Sequence, residues 1–359
     1  MPELIREDIR LLVDGTLYSG WKEVQASRSI EQAALAFRLG VTERWLGQPS
    51  RKVIRPGAAC LLTATGDPMI TGYVDDVTVE YDTGQHAITI AGRDKVGDLV
   101  DCAAVVDGDH VFNDLTVLEF ARRICNPYGI PVTAEVDVGA PFARFAIQPG
   151  ETGFAAIERA CRHRALLPNG DGQGGLVLTR AGKGGRHAGS LRLGHNVKTA
   201  SGAFTYRDRF SETILRGQQE GSDTVDVDDI AGPEGRARDV AITRYRPSVI
   251  VSEQAGNGMS LADRAAWEVR VARGRSRKVT YNVAGWRDED GTLWRSNNLI
   301  PVVDDYLDIA FDMLIVSATF GLTTSGTVTE LQLALPDAYD LLPEPDEQPD
   351  PASGLMEAL

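Results

Sequence analysis

Gly72-Tyr73-Val74-Asp75-Asp76-Val77-Thr78-Val79 and, beyond a turn at Asp82-Thr83-Gly84, His86-Ala87-Ile88-Thr89-Ile90 decide the fold class. Apolar and polar residues alternate in both runs and β-branched side chains are frequent. That is the period of a half-buried strand, not of a helix. Working back, the same alternation runs through Trp21-Lys22-Glu23-Val24-Gln25-Ala26 and Ala34-Leu35-Ala36-Phe37-Arg38-Leu39. Asp14-Gly15 and Thr65-Gly66-Asp67-Pro68 supply turn chemistry between them. Short strands punctuated this way predict a small antiparallel barrel or sandwich.

Working forward, the period changes. Asn113-Asp114 can cap a helix carrying Leu115, Leu118, Ala121, Ile124, Cys125 and Tyr128, with Gly129 and Pro131 to end it. A second helix is expected after Pro149-Gly150, with Thr152 near its cap and Phe154, Ile157, Ala160 and Cys161 as its buried stripe. A hairpin follows, from Ala165-Leu166-Leu167 through a glycine-rich turn to Leu176-Val177-Leu178-Thr179. Strands return at Phe204-Thr205-Tyr206 and Thr213–Gly217, then near Lys278–Gly285, Leu299–Val303, Met313–Ala318 and Val328–Leu335. A helix is expected over Leu261–Arg273 and a hairpin turn at Asp290-Gly291. The fold class is therefore mainly β with α+β elements: a first small antiparallel barrel or sandwich, an intervening α/β domain and a second β domain with one helix. The expected division is 1–101, 102–200 and 201–340, the last with an inserted loop and helix over roughly 220–275, and a disordered acidic, Pro-rich tail at 341–359. Ala87-Ile88-Thr89-Ile90-Ala91-Gly92-Arg93-Asp94 is faintly echoed by Thr280-Tyr281-Asn282-Val283-Ala284-Gly285-Trp286-Arg287-Asp288.

Bulk properties narrow the function. With 359 residues and 43% hydrophobic content there is material for several cores. The net charge of -14 argues against phosphate-backbone binding. Seven of the acids lie between Asp337 and Leu359, where there is no base. Cys60, Cys102, Cys125 and Cys161 are too scattered for a zinc site and read as core thiols of a reducing compartment. Met1 to Arg10 lacks the apolar segment of a signal peptide, and no run is long enough for a membrane span. A soluble chain made in the cytoplasm is expected.

Catalytic motifs fail one by one. Gly170-Asp171-Gly172-Gln173-Gly174-Gly175 satisfies GxGxxG, but a helix precedes it and a strand follows, the reverse of a dinucleotide site, so it reads as a hairpin loop. Gly182-Lys183-Gly184-Gly185 lacks the Ser or Thr of a P-loop. Asp223, Asp226, Asp228 and Asp229 lack the spacing of a calcium loop and read as solvated. His86, His110, His163, His187 and His195 form no HExxH, and no serine sits in a nucleophile elbow. Glu151 and Glu158 could act as paired carboxylates, but nothing places them across a cleft. The basic stretch Arg264, Arg270, Arg273, Arg275, Arg277 and Lys278 has no aromatic interleaving and reads as a solvated or subunit-contact face. No cofactor, metal or catalytic residue is expected, so the chain reads as a binding or architectural protein.

One resemblance names that architecture. Ile70-Thr71-Gly72-Tyr73-Val74-Asp75-Asp76 and the run from Ala91 to Ala104 (AGRDKVGDLVDCAA) resemble the Mu-type phage tail baseplate hub family. Tyr18–Trp21, Pro149–Thr152, Gly175–Arg180, Asp208–Glu212, Arg264–Glu268, Val283–Asp288 and Gly291–Trp294 follow in family order. The glycine loop at 170–175 and the tail after Asp337 have no counterpart in the resemblance. The resemblance implies a homotrimeric hub, related to the hub part of VgrG spike proteins. In it two barrels per copy form a pseudo-six-fold ring between a six-fold tail tube protein and a three-fold spike (puncturing) protein, beside other baseplate proteins. It implies a structural protein of the virion tail baseplate, with DNA passing through a neutral-to-acidic lumen without stable binding. The alternatives are a VgrG-like spike component, a tail lysin and a carbohydrate-binding β module. Arg93, Asp94 and Asp98 are expected to fix a turn or meet a second subunit, with Arg264, Arg270, Trp286, Arg287 and Trp294 as further candidates. Trp21, Trp267, Trp286 and Trp294 are read as core.

Overall fold

The alternating runs at 72–79 and 86–90 are the two arms of one hairpin, with Val77 opposite Ile90 and Val79 opposite Ile88. The computed structural model describes residues 7–42, 54–82, 86–106, 110–217, 233–252, 259–323 and 326–344. The cluster Asp223–Asp229 and the tail from 345 lie outside them.

The first segment holds β1 (Ile9–Val13), β2 (Thr16–Tyr18), β3 (Glu23–Ser29), β4 (Ala36–Thr42), β5 (Ala59–Ala64), β6 (Asp67–Tyr81) and β7 (His86–Asp94). The middle holds α1 (Val96–Asp101), β8 (Val111–Phe112), α2 (Val117–Cys125), β9 (Val132–Ala134), β10 (Phe145–Ala146), α3 (Gly153–Arg162), β11 (Leu167–Gly170) and β12 (Leu176–Thr179). Then come β13 (Leu191–Arg192), β14 (Val197–Phe204), β15 (Glu212–Gly217), β16 (Glu234–Arg238), β17 (Pro247–Ser252) and α4 (Leu261–Arg275). The last segment holds β18 (Arg277–Ala284), β19 (Leu299–Asp304), β20 (Ile309–Thr323) and β21 (Gly326–Ala334).

The protein is mainly β, as the alternation predicts, but the two β regions are not separate closed barrels. Their strands join in one 13-stranded sheet, ordered β14-β18-β21-β20-β3-β4-β7-β6-β5-β1-β2, with β19 on β20 and β13 on β19. Among the described residues this path is open. The join is β3 against β20, from Ser29 opposite Ser317 to Val24 opposite Leu322. The 15-residue length of β20 serves this join: one edge pairs with β21, while the other serves β19 and then β3. A strand edge left bare is a row of unmet donors and acceptors, so each region completes the other. They also share one core, in which Leu11, Leu39, Leu62 and Ile90 lie with Tyr281, Met313, Phe320 and Leu331.

Counting outward from the join gives β3, β4, β7, β6 on one side and β20, β21, β18, β14 on the other. Every adjacent pair is antiparallel. The order is that of a two-fold arrangement, and the echoed segments, β7 and β18, hold the same third place. The halves differ at their ends. β5, β1 and β2 extend beyond β6, whereas β14 is an edge whose residues from Lys198 onward are exposed.

A separate core holds α1 to α3 and the sheet β11-β12-β9. The helix expected from Asn113-Asp114 starts at Thr116, which accepts the Glu119 amide while the Glu119 carboxylate takes the Thr116 amide. This reciprocal capping box outcompetes a cap three residues earlier, where Asp114 adopts a positive φ. Thr152 caps α3 as expected. α1 has no counterpart in the sequence reading. It is six residues long and has no side-chain cap. α4 packs on a small sheet, β16-β15-β17, in which β15 and β17 run parallel.

Candidate functional site

The candidate residues cluster where the echoed strands end. Past β7, the Arg93 guanidinium reaches Asp75 at 2.7 Å and grips both Asp101 oxygens at 2.6 and 3.2 Å. These bonds, Asp101's first, hold the arginine above its usual range and Asp101 below the usual carboxylate range. Asp94 points the other way and is 1% exposed. Its Oδ1 accepts the Val96 amide at 3.2 Å, while Oδ2 is buried and has no hydrogen bond among the described residues. Burial raises its pKa to about 7. Asp98 sits half-buried on α1, its carboxyl raised by burial.

What faces Asp94 is the glycine loop between β11 and β12. A Cβ on Gly170 would lie 2.3 Å from Asp94 Oδ2, and one on Gly172 2.5 Å from the Met69 carbonyl. The Thr71 amide donates to Gly172 O at 2.9 Å. The GxGxxG run is thus a docking loop that seats the α/β unit on the first half of the sheet. Its glycines allow backbone to touch backbone. The pattern alone could not say this, because the surface the loop meets lies far away in sequence.

Past β18, Arg287 reaches across the join. It donates to Glu7 at 2.7 Å, to Ala64 O at 2.9 Å and to Gly291 O at 2.8 Å, and it pairs with Asp67. Asp288 accepts the amides of Thr292 at 2.8 Å and Ala188 at 3.2 Å and contacts His187 Nδ1 at 2.8 Å. His187 Nε2 accepts the Arg295 amide at 3.0 Å, so the ring proton sits on Nδ1 and is donated to Asp288. Burial opposes the Asp288 charge, but these donors leave it below the usual carboxylate range. With both ring nitrogens engaged, the His–Asp pair has none left to activate a nucleophile. Trp294 packs against His187 with ring centres 5.0 Å apart and the rings tilted at 58°, and Trp286, 1% exposed, donates to Gly321 O and Val328 O at 3.1 Å each. Trp21 is buried too, and Trp267 is half-buried under Arg264.

The basic stretch on α4 faces carboxylates of its own chain. Arg264 pairs with Glu268 at 3.1 Å, Arg270 with Asp337 and Asp340, and Arg273 with Asp337 at 3.3 Å, fastening α4 to the turn Pro336–Tyr339. Glu151 and Glu158 do not form a pair: Arg159 takes Glu151 at 2.9 Å, and Arg162 lies 3.7 Å from Glu158. No group of His, Cys, Asp or Glu among the described residues could hold a metal ion. No helix there is long and apolar enough to cross a membrane. Cys60, Cys125 and Cys161 are buried and Cys102 is exposed.

This geometry, a joined double sheet whose ionic groups hold its own turns, has known counterparts. Residues 8–94 match the family model of the Mu phage baseplate assembly protein GpP-like N-terminal domain. Residues 96–180 match the second domain of baseplate hub protein gp44-like chains, and 258–342 the fourth domain of GpP. The baseplate hub protein gp44 of Escherichia phage Mu is 32% identical over 351 residues, 95% of this chain and 91% of that one. The crystal structure of the 43 kDa tail protein of prophage MuSo2 from Shewanella oneidensis is 36% identical, with a TM-score of 0.80 over 94% of this chain and all of that one. A type VI secretion component of E. coli shares the fold alone, at 11% identity and a TM-score of 0.58 over 94% of this chain and 80% of its own. The chain belongs to the baseplate hub protein family of Mu-like phage tails.

Proposed function

We propose that this baseplate hub works as a homotrimer and has no enzymatic role: a ring on the tail axis between the six-fold tube protein and the three-fold spike protein. The observation that carries this reading is the sheet order, in which each half repeats the same four antiparallel places with the echoed strand third in both. Three copies with two like halves present six similar surfaces while keeping three-fold symmetry. The halves of each copy form two barrel-like units at 1–101 and 201–340, with the α/β unit at 102–200 bracing them. The ring belongs to the virion tail baseplate, follows synthesis in the host cytoplasm, and touches other baseplate proteins. Its lumen, neutral to acidic in keeping with the net charge of -14, passes DNA without holding it.

Arg93, Asp94, Asp98, Arg264, Arg270, Trp286, Arg287 and Trp294 serve this ring by fixing its turns or by meeting a second subunit. The exposed edge β14 offers a further surface for subunit contact. Light scattering on the purified chain, alone and mixed with its spike protein, tests the reading. A mass of three chains, or three plus three, is expected. A persistent monomer in both conditions would remove the trimer.

A further inference from the structure

We propose that the cleft between β3, the β11–β12 loop and the segment leading into β19 binds a small oxyanion of the phosphate class. Arg28 on β3 is 8% exposed. Among the described residues, one of its five donors makes a hydrogen bond, long at 3.4 Å, to Met69 O. Beyond that it lies 5.6 Å from the centre of the Phe320 ring. Among the described residues no carboxylate stands within ion-pair distance of it. Across the cleft stands Arg295, exposed, its side chain likewise without an ion pair among the described residues. Burial and the Arg295 charge together lower the Arg28 pKa to about 10. Asn298, 9% exposed, lines the same cleft, and its amide makes no hydrogen bond among the described residues.

The two acids that line the cleft are turned to other donors. Glu135 accepts the Thr179 hydroxyl at 2.8 Å, and Asp171 accepts the amides of Gln173 and Gly175 at 2.6 and 2.8 Å. Asp171 and Asp94 attract Arg28 only from beyond ion-pair distance. Two guanidinium groups and a buried amide around one space form a set of donors that lacks an acceptor. A guanidinium fork matches an oxyanion with two parallel hydrogen bonds. The cavity, roughly 120 Å³, has room for one tetrahedral oxyanion. A bound oxyanion would tie the first half, the α/β unit and the second half at one point.

The test uses the full chain and inorganic phosphate at constant ionic strength against chloride, followed by thermal melting and by ³¹P line broadening. Phosphate is expected to raise Tm by about 2–4 °C at saturation. Arg295→Gln, on an exposed side chain, should lose at least half of that rise. Arg28→Met should lose all of it and, in chloride, melt no lower than the parent, because an unmatched buried charge has gone. No rise beyond chloride, or an equal rise in both variants, means an adventitious ion only and overturns the proposal. Should Arg28→Met not fold, Arg295→Gln and Asn298→Ala decide by the same criterion.

Discussion

Gly92-Arg93-Asp94 and Gly285-Trp286-Arg287-Asp288 close equivalent strands, yet the two turns do different work. In the first, the arginine stays local, bracing α1 through Asp101. In the second, the arginine leaves its own half and takes Glu7, Asp67 and Ala64 O from the other. The aspartates diverge in the same way. Asp94 is buried with one oxygen unmet, while Asp288 is surrounded by donors. Even the glycines differ in purpose: a Cβ on Gly92 would strike Tyr73 O at 2.2 Å, whereas Gly285 has open space and a φ of +76°. A similar sequence therefore sets the place of a strand in the sheet, while its surroundings set what the side chains hold.

The sharpest way to break this comparison is at the glycines. Gly92→Ala should cost about 4 kcal/mol, because the new methyl collides with backbone across the β6–β7 pair, and a urea melt would show it. Next come the arginines. Arg287→Met strands Glu7, whose side chain is 2% exposed, and should cost about 3 kcal/mol. Arg93→Met, at a side chain 33% exposed, should cost about 1 kcal/mol. Equal losses would mean that Arg287 is no clamp.

The aspartates should respond with opposite signs. Asp94 has a folded pKa of about 7, above the value of roughly 4 for an unfolded aspartate. Its contribution to stability is therefore full below pH of about 4 and is lost as pH climbs through about 7. Asp94→Asn should flatten that slope and add about 2 kcal/mol at pH 8, read from melts across pH. Asp288, depressed when folded, contributes above the unfolded pKa and loses its contribution as pH falls through the folded one. Asp288→Asn should thus cost about 2 kcal/mol at pH 8 and less in acid. Gly285→Ala should cost about as little as Arg93→Met, about 1 kcal/mol, for an L-residue held at positive φ.

Local pattern carried the reading as far as local physics reaches. Alternation at 72–79 and 86–90 located a hairpin, and Thr152 marked a cap. The Thr116-x-x-Glu119 box was equally legible and a better cap than Asn113-Asp114. Hidden from the sequence were the contacts between distant segments. The β3–β20 join pairs residues nearly a chain length apart, so two regions that each look like a small barrel share one sheet. The glycine loop reads as a nucleotide motif until Thr71 and Asp94 are seen beneath it. The candidate residues stand out largely by resemblance; their partners, Glu7 for Arg287 and Asp340 for Arg270, give no signal in spacing.

The most direct test of the central claim is cryo-electron microscopy of the chain assembled with its tube protein, averaged without imposed symmetry. Three copies whose six sheet halves each face one tube subunit are predicted. A ring of six copies, or three copies touching the tube through one half each, would contradict the assignment of the two halves to equivalent roles.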